Sequence, residues 1–419
     1  MPVVRYAIRL FVPAIPCVFA VAVAFQFLPL MRPIFAHPTA SSHSSPLRMA
    51  FHAPADPITT ESLQNPEESQ CPECLAIPGK SVVAAWEWGK RQGKPSDYFN
   101  EEILQLRSSK SRLYFDRLAQ CGINRLYLHV GVEGDSLAYN ESYLAGFLSR
   151  AREEGIQVYA LFGNPSLAKT ENHMKASAIV KAIIHYNEVH PDAGFAGIQS
   201  DIEPYYEFLA SGTTRRTDLR VIGPQYVREI EEQRELVDSY KKEIGRGLKL
   251  EAAIPFWYNM PAKKRRSGRK PIRLVVDGFE GTITDHVIRF TDSVAVMSYR
   301  NHDEGGDGVS GVARYVVDAA RRHNREHGSR KKVIIGLETK NPGSRGVIPK
   351  ITIRKMTREM LWSKILKPLG QKYRKRPTVE GVAYHHTVSL FKMQDRWEER
   401  CSQQEVEPTG TAPAHRPHH

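Results

Sequence analysis

Cysteine is scarce in this chain, with 5 in 419 residues, which excludes a small scaffold held together by disulfides. The few that exist do not build a metal site by spacing either. Cys71-Pro72-Glu73-Cys74 is a lone CxxC, and a zinc site needs a second such pair or histidines at matching distance. A thioredoxin-like role needs the motif at the start of a helix, whereas here it sits in a Pro-containing linker. A structural disulfide, local or to Cys401, is the remaining use, and Cys121, at the end of a predicted helix, reads as a buried thiol. No GxGxxG turn follows the first candidate strand, so nothing calls for a dinucleotide or any other cofactor. Acidic residues are in deficit: 46 Asp+Glu stand against 59 Lys+Arg, a formal charge of +13. Such a field draws anionic partners, which include nucleic acid, an anionic membrane face and an acidic polymer.

What is present is ordinary globular material. Hydrophobic content of 41% and charged content of 25% are enough to bury a large core. At the start, Arg5 and Arg9 precede an apolar run from Leu10 to Met31, with Ile34-Phe35-Ala36 as a candidate cleavage site. The expectation is a signal peptide or membrane anchor over 1–36, a linker over 37–78, a barrel over 79–400 and a disordered tail over 401–419. Export implies a secreted or extracytoplasmic protein, membrane-anchored if the run is retained, and together with the lack of a nucleic-acid motif it argues against nucleic acid.

The body repeats one pattern: a β-branched or aromatic run, a polar loop, an amphipathic helix. The runs are Val82 to Trp88, Arg125 to Val130, Gln157 to Phe162, Phe195 to Ile202, Lys249 to Phe256, Ser293 to Tyr299, Lys332 to Leu337 and Gly381 to His386. Eight βα units predict a closed (β/α)8 TIM barrel of the α/β class rather than an open sheet. Asn100 and Asn140 stand as helix starts, with Gly122 and Gly155 as stops, and helices are also predicted over Gln225–Lys242 and Val312–His327.

In such a barrel the chemistry sits where strands end. The fourth run delivers Asp201 and Glu203, two residues apart and therefore on one face of a strand. Carboxylates held that close do not both ionise freely, so one retains a proton that it can donate; capping of the next helix or pairing with arginines is the ordinary alternative. The other strand ends supply Trp86, Glu87 and Trp88; His129; Asn164; Tyr205; Trp257, Tyr258 and Asn259; Tyr299 and Arg300; Glu338; and His385. Carboxylates ringed by aromatics suit a sugar, whose apolar faces stack while its hydroxyls are hydrogen-bonded.

Gly197-Ile198-Gln199-Ser200-Asp201-Ile202-Glu203, followed by Met297-Ser298-Tyr299, resembles the family 18 glycoside hydrolases, the chitinase-like barrels, whose fourth strand carries DGxDxDxE and sixth MxY. The resemblance implies Glu203 as general acid and base. It implies Asp201 and Tyr299 as residues that hold the substrate's N-acetyl group as that group attacks the anomeric carbon, with no protein nucleophile. The chain departs from the pattern at Ala196 and Gln199, where the family has aspartates, at Arg300, and at the end of the eighth run, where the family's tryptophan has no counterpart. A different assignment pairs Glu203 with Glu338 across the mouth as two catalytic carboxylates.

A basic run, Lys263-Lys264-Arg265-Arg266-Ser267-Gly268-Arg269-Lys270-Pro271-Ile272-Arg273, follows the fifth strand, and Lys340, Arg345, Lys350, Arg354 and Lys355 follow the seventh. On the catalytic side these would steer an anionic polymer, or they form a solvated loop. The sequence thus predicts a glycosidase acting on an extracytoplasmic polysaccharide, acidic or N-acetylated. The alternatives are a non-catalytic glycan-binding barrel, a metal-dependent hydrolase or deacetylase using His129, Asp201, Glu203 and His385 or His386, and an envelope interaction protein.

Overall fold

Short runs of β-branched, aromatic and small residues form strands here because each is covered on both faces, by the barrel interior on one side and by helices on the other. The computed structural model describes residues 75–88, 99, 101–209, 216–260, 271–340 and 352–406, all within the unit Glu68–His419. Eight strands, β1 (Val82–Glu87), β2 (Arg125–His129), β3 (Gln157–Phe162), β4 (Gly197–Ser200), β5 (Lys249–Pro255), β6 (Ser293–Met297), β7 (Lys332–Glu338) and β8 (Val379–His385), close into a barrel in chain order. Every neighbouring pair is parallel, including β1 with β8. The fold is therefore the (β/α)8 TIM barrel expected from the sequence.

Each strand is followed by a main helix: α1 (Ser109–Gln120), α2 (Glu141–Glu153), α3 (His173–Val189), α4 (Arg216–Ile244), α5 (Ile283–Phe290), α6 (Val309–His327), α7 (Lys367–Tyr373) and α8 (Thr387–Val406). Asn140 caps α2 by accepting from the Tyr143 amide, and Gly155 follows it at φ +73°. The helix expected from Asn100 is broken: a single turn, Glu101–Leu104, ends before Ser108, which takes an extended backbone and caps α1 through the Ser111 amide. Two small hairpins, Val132–Glu133 with Ser136–Leu137 and Arg273–Val276 with Phe279–Thr282, were not foreseen.

Side chains alternate cleanly across the strands. Val82, Ala84, Trp86, Tyr127, Tyr159, Leu161, Ala253, Ala295, Ile334 and Ala383 form the interior, and the intervening residues join the helices in the outer core. Alanines and Gly336 opposite Trp86 make room for its indole; a Cβ on Gly336 would lie 3.4 Å from that ring.

The domain boundaries need two amendments. Leu75 and Ile77, assigned above to the linker, are buried in the outer core, and α8 runs on to Val406, past the end set at 400. Cys121 is a free buried thiol, pushed up to about 12 by burial. The N-terminal apolar run, the CxxC and Lys263 to Lys270 lie outside the described residues, as do Arg345, Lys350 and the side chain of Cys401. Among the described residues no helix is long and apolar enough to cross a membrane.

Candidate functional site

The period of two along β4 and its continuation sorts the residues into two sets. Ile198 and Ile202 are buried among the helices, and Ser200 accepts a hydrogen bond from Gln233 Nε2 of α4 at 3.1 Å. Gln199, Asp201 and Glu203 therefore face the barrel axis. The backbone stays paired beyond the strand proper, with the Asp201 amide donating to the Phe162 carbonyl at 2.8 Å. That approach requires Gly163, because a Cβ there would meet the Asp201 carbonyl oxygen at 2.1 Å.

Burial pushes the Asp201 carboxyl well above its usual range, and the charge of Glu203 pushes it further. Its Oδ1 is buried with no hydrogen-bond partner among the described residues. Glu203 is also raised, chiefly by burial, while donation from the Tyr205 hydroxyl to Oε1 acts in the opposite direction. The two carboxyls titrate as a pair and together retain a proton above the ordinary carboxylate range. Neither is held by an arginine or lysine among the described residues, so the ion-pair alternative does not apply.

Facing this pair is a second constellation from the ends of β1, β6, β7 and β8. Trp88 Nε1 donates to His385 Nε2 at 3.1 Å, and His385 Nδ1 lies 3.0 Å from Glu338 Oε2. An indole nitrogen only donates, so Nε2 must accept, and the ring proton sits on Nδ1 and points to Glu338. The other oxygen of Glu338 accepts the Lys340 amide at 2.7 Å. Tyr299 stacks on the His385 ring, centroids 5.9 Å apart and planes at 23°. Its hydroxyl is raised well above its usual value by burial, then by Glu338, Asp201 and Glu203. Tyr299 thus stands between the two groups of carboxylates. His129 packs against Trp88 at 5.5 Å, and burial lowers its pKa.

Aromatics close the third side. Tyr205 meets Trp257 edge-on at 5.2 Å, and Trp257 meets Tyr258 at 4.7 Å. Tyr206, not singled out from the sequence, lies 4.8 Å from Tyr205; it is exposed and feels Glu203, Asp201 and Glu338. The doubled tyrosine directly after Glu203-Pro204 was the available signal.

Several expected site residues work elsewhere. Trp86 is buried inside the barrel with its Nε1 bonded to Gln199 Oε1 at 2.5 Å, and Glu87 points the other way, into the helix layer. There Glu87 accepts from the Tyr114 hydroxyl at 2.9 Å and from the Thr387 hydroxyl, because strand alternation turns it away from the mouth. Tyr258 is buried in the outer core. Asn164 caps the turn Pro165–Ala168, and Asn259 donates to the Tyr315 carbonyl at 3.0 Å.

The polar thread inside the barrel was not anticipated. Gln199 Nε2 donates to Glu251 Oε1 at 2.5 Å, Ser293 donates to Glu251 Oε2 at 2.6 Å, and Arg125 lies 3.5 Å from the same oxygen. Gln199 therefore spends its amide on Trp86 and Glu251, below Asp201. Among the described residues no group of three or more His, Cys, Asp or Glu side chains is placed to share an ion, so His129, Asp201, Glu203 and His385 do not form the ligand set that the metal-dependent alternative requires.

No family model and no curated protein sequence matches the chain. In structure it is similar to a family 18 chitinase from Pseudoalteromonas aurantia, at 11% identity over 77% of this chain and 99% of the other, with a TM-score of 0.45. It is also similar to a plant class V chitinase mutant from Cycas revoluta in complex with (GlcNAc)3, at 11% identity over 74% and 96% of the two chains and a TM-score of 0.45. A third is a family 18 N-acetylglucosaminidase from Paenibacillus barengoltzii, at 15% identity over 62% and 68% and a TM-score of 0.37.

Proposed function

We propose that the protein is a glycosidase acting on an N-acetylated polysaccharide, with Glu203 as general acid and base. The observation that carries this reading is the buried pair Asp201 and Glu203 at the barrel mouth, raised by burial and free of arginine or lysine partners among the described residues. Glu203 gives its proton to the glycosidic oxygen as the bond from that oxygen to the anomeric carbon breaks. The substrate's own N-acetyl oxygen forms the new bond to that carbon, Asp201 takes up the hydrogen of the acetamide nitrogen, and Tyr299 steadies the acetamide. Water then adds to the anomeric carbon and gives a proton to Glu203, while Asp201 returns its hydrogen to the nitrogen of the released acetamide, so that both carboxyls regain their starting state.

The competing assignment of Glu338 as the second catalytic carboxylate is disfavoured, because one of its oxygens accepts from the Lys340 amide and the other from His385. A non-catalytic glycan-binding barrel is favoured by one observation: Gln199, where the resembled family has an aspartate, is bound to Trp86 and Glu251. Incubating the full chain with N-acetylglucosamine oligomers and assaying new reducing ends separates the two. Turnover that disappears in Glu203→Gln supports the enzyme, and binding without turnover in both proteins supports the inert barrel.

A further inference from the structure

We propose that Arg300 forms a subsite for a carboxylate or phosphate carried by the glycan, so that the substrate is an anionic polysaccharide; this rests on the glycosidase reading above. Arg300 directly follows Tyr299 at the mouth and is half-buried. Its guanidinium is oriented without being neutralised. Nε donates to the Asp307 carbonyl at 2.9 Å, one terminal nitrogen donates to the Tyr299 carbonyl at 2.7 Å, and the plane lies over the Phe256 ring with its carbon 4.6 Å from the centroid. Among the described residues no carboxylate forms an ion pair with it. Asp307 bonds it through its backbone, and its carboxylate, 3.6 Å from His302 Nε2, partly offsets the burial that lowers the Arg300 pKa without forming an ion pair with it. A half-buried cation held by neutral groups is a costly arrangement that an incoming oxyanion would relieve, and the second terminal nitrogen has no partner among the described residues.

Two stretches of the sequence carry the same sign. Residues 261–270, in the connection that follows Phe256 in the chain, hold six Lys or Arg and no Asp or Glu, and residues 341–350, after β7, hold two and again no acid. The carboxylates of the mouth act on the Tyr299 hydroxyl, whereas the Arg300 guanidinium rests over the Phe256 ring. Arg300 is thus placed to read a substituent beside the reacting sugar rather than the sugar itself.

The test uses the full chain carrying Glu203→Gln, so that bound sugar is not consumed. Calorimetry at low and high salt compares three oligosaccharides of equal length: N-acetylglucosamine alone, alternating with glucuronic acid, and bearing phosphate. The expected result is that one acidic oligomer binds about tenfold tighter than the neutral one, less so at high salt, and that which of them does so identifies the oxyanion. Adding Arg300→Gln should bring that oligomer down to the neutral level while changing the neutral one by no more than about twofold, and Arg300→Lys should keep part of the preference. An acidic preference that survives Arg300→Gln, an equal loss for all three oligomers, or no preference at all overturns the proposal while leaving the glycosidase reading intact. Failure of all three to bind overturns both.

Discussion

Replacing Glu87 by Gln separates a residue of the barrel wall from a residue of the site. Glu87 is fully buried behind β1, where burial raises its carboxyl from 4.5 to about 7, against the opposing hydrogen bonds of Thr387 and Tyr114. Between those two values the native protein keeps a proton that the unfolded chain has released, so stability falls as pH rises through that window. A shift of roughly 2.5 units corresponds to about 3 kcal/mol of lost stability once pH exceeds 7. Glutamine cannot ionise, and its amide oxygen still accepts from Tyr114 and Thr387. Its NH2 takes the place of Oε1, which already lacks a partner among the described residues, so little new cost is introduced. Urea unfolding of both proteins at pH 5 and pH 8.5 should therefore give similar midpoints at the lower pH. At the higher pH Glu87→Gln should gain about 3 kcal/mol, a midpoint shift of about 1 M for a slope of about 3 kcal/mol per M. Other raised carboxyls, such as Glu229 at about 8, contribute the same slope to both proteins and cancel. A difference independent of pH would refute the reasoning, and a loss of activity like that of Glu203→Gln would return Glu87 to the site.

Tyr205→Phe removes the hydroxyl that donates to Glu203, stabilises its charged form and so holds its pKa down. The alkaline limb of the pH profile, and the 13C titration of the Glu203 carboxyl, should move to higher pH, and an unmoved titration would dismiss this role for Tyr205. Gly163→Ala places a methyl against the Asp201 carbonyl; thermal melting should show a loss of about 3 kcal/mol or more, whereas a variant as stable and active as the parent would contradict the close approach. Trp88→Phe deletes the donor to His385 Nε2. In the parent, 15N spectra should show Nε2 as the unprotonated nitrogen, and a proton found there instead would refute the tautomer argued above.

Much of this arrangement was legible because it follows from periodicity. The span of β3 matched its predicted run, the remaining strands fell within a few residues of theirs, and Asp201 with Glu203 emerged on one face because a strand alternates by two. The same rule, applied to β1, would have sent Glu87 behind the strand once Trp86 was placed inside; grouping them by sequence proximity concealed this. What alternation does not give is the partner across the barrel. Gln199, Glu251 and Arg125 lie far apart in sequence and meet only on closure, as do Trp88, His385 and Glu338. The break at Ser108 was missed because its side chain bonds to the Glu102 carbonyl and the Ser111 amide, a local competition that apolar spacing does not register.

The most direct measurement is hydrolysis of soluble N-acetylglucosamine-containing oligomers by the parent protein and by Glu203→Gln at matched folding. The account predicts turnover in the parent that falls by about a thousandfold or more in the variant while the oligomer still binds. Equal turnover in both proteins would contradict it.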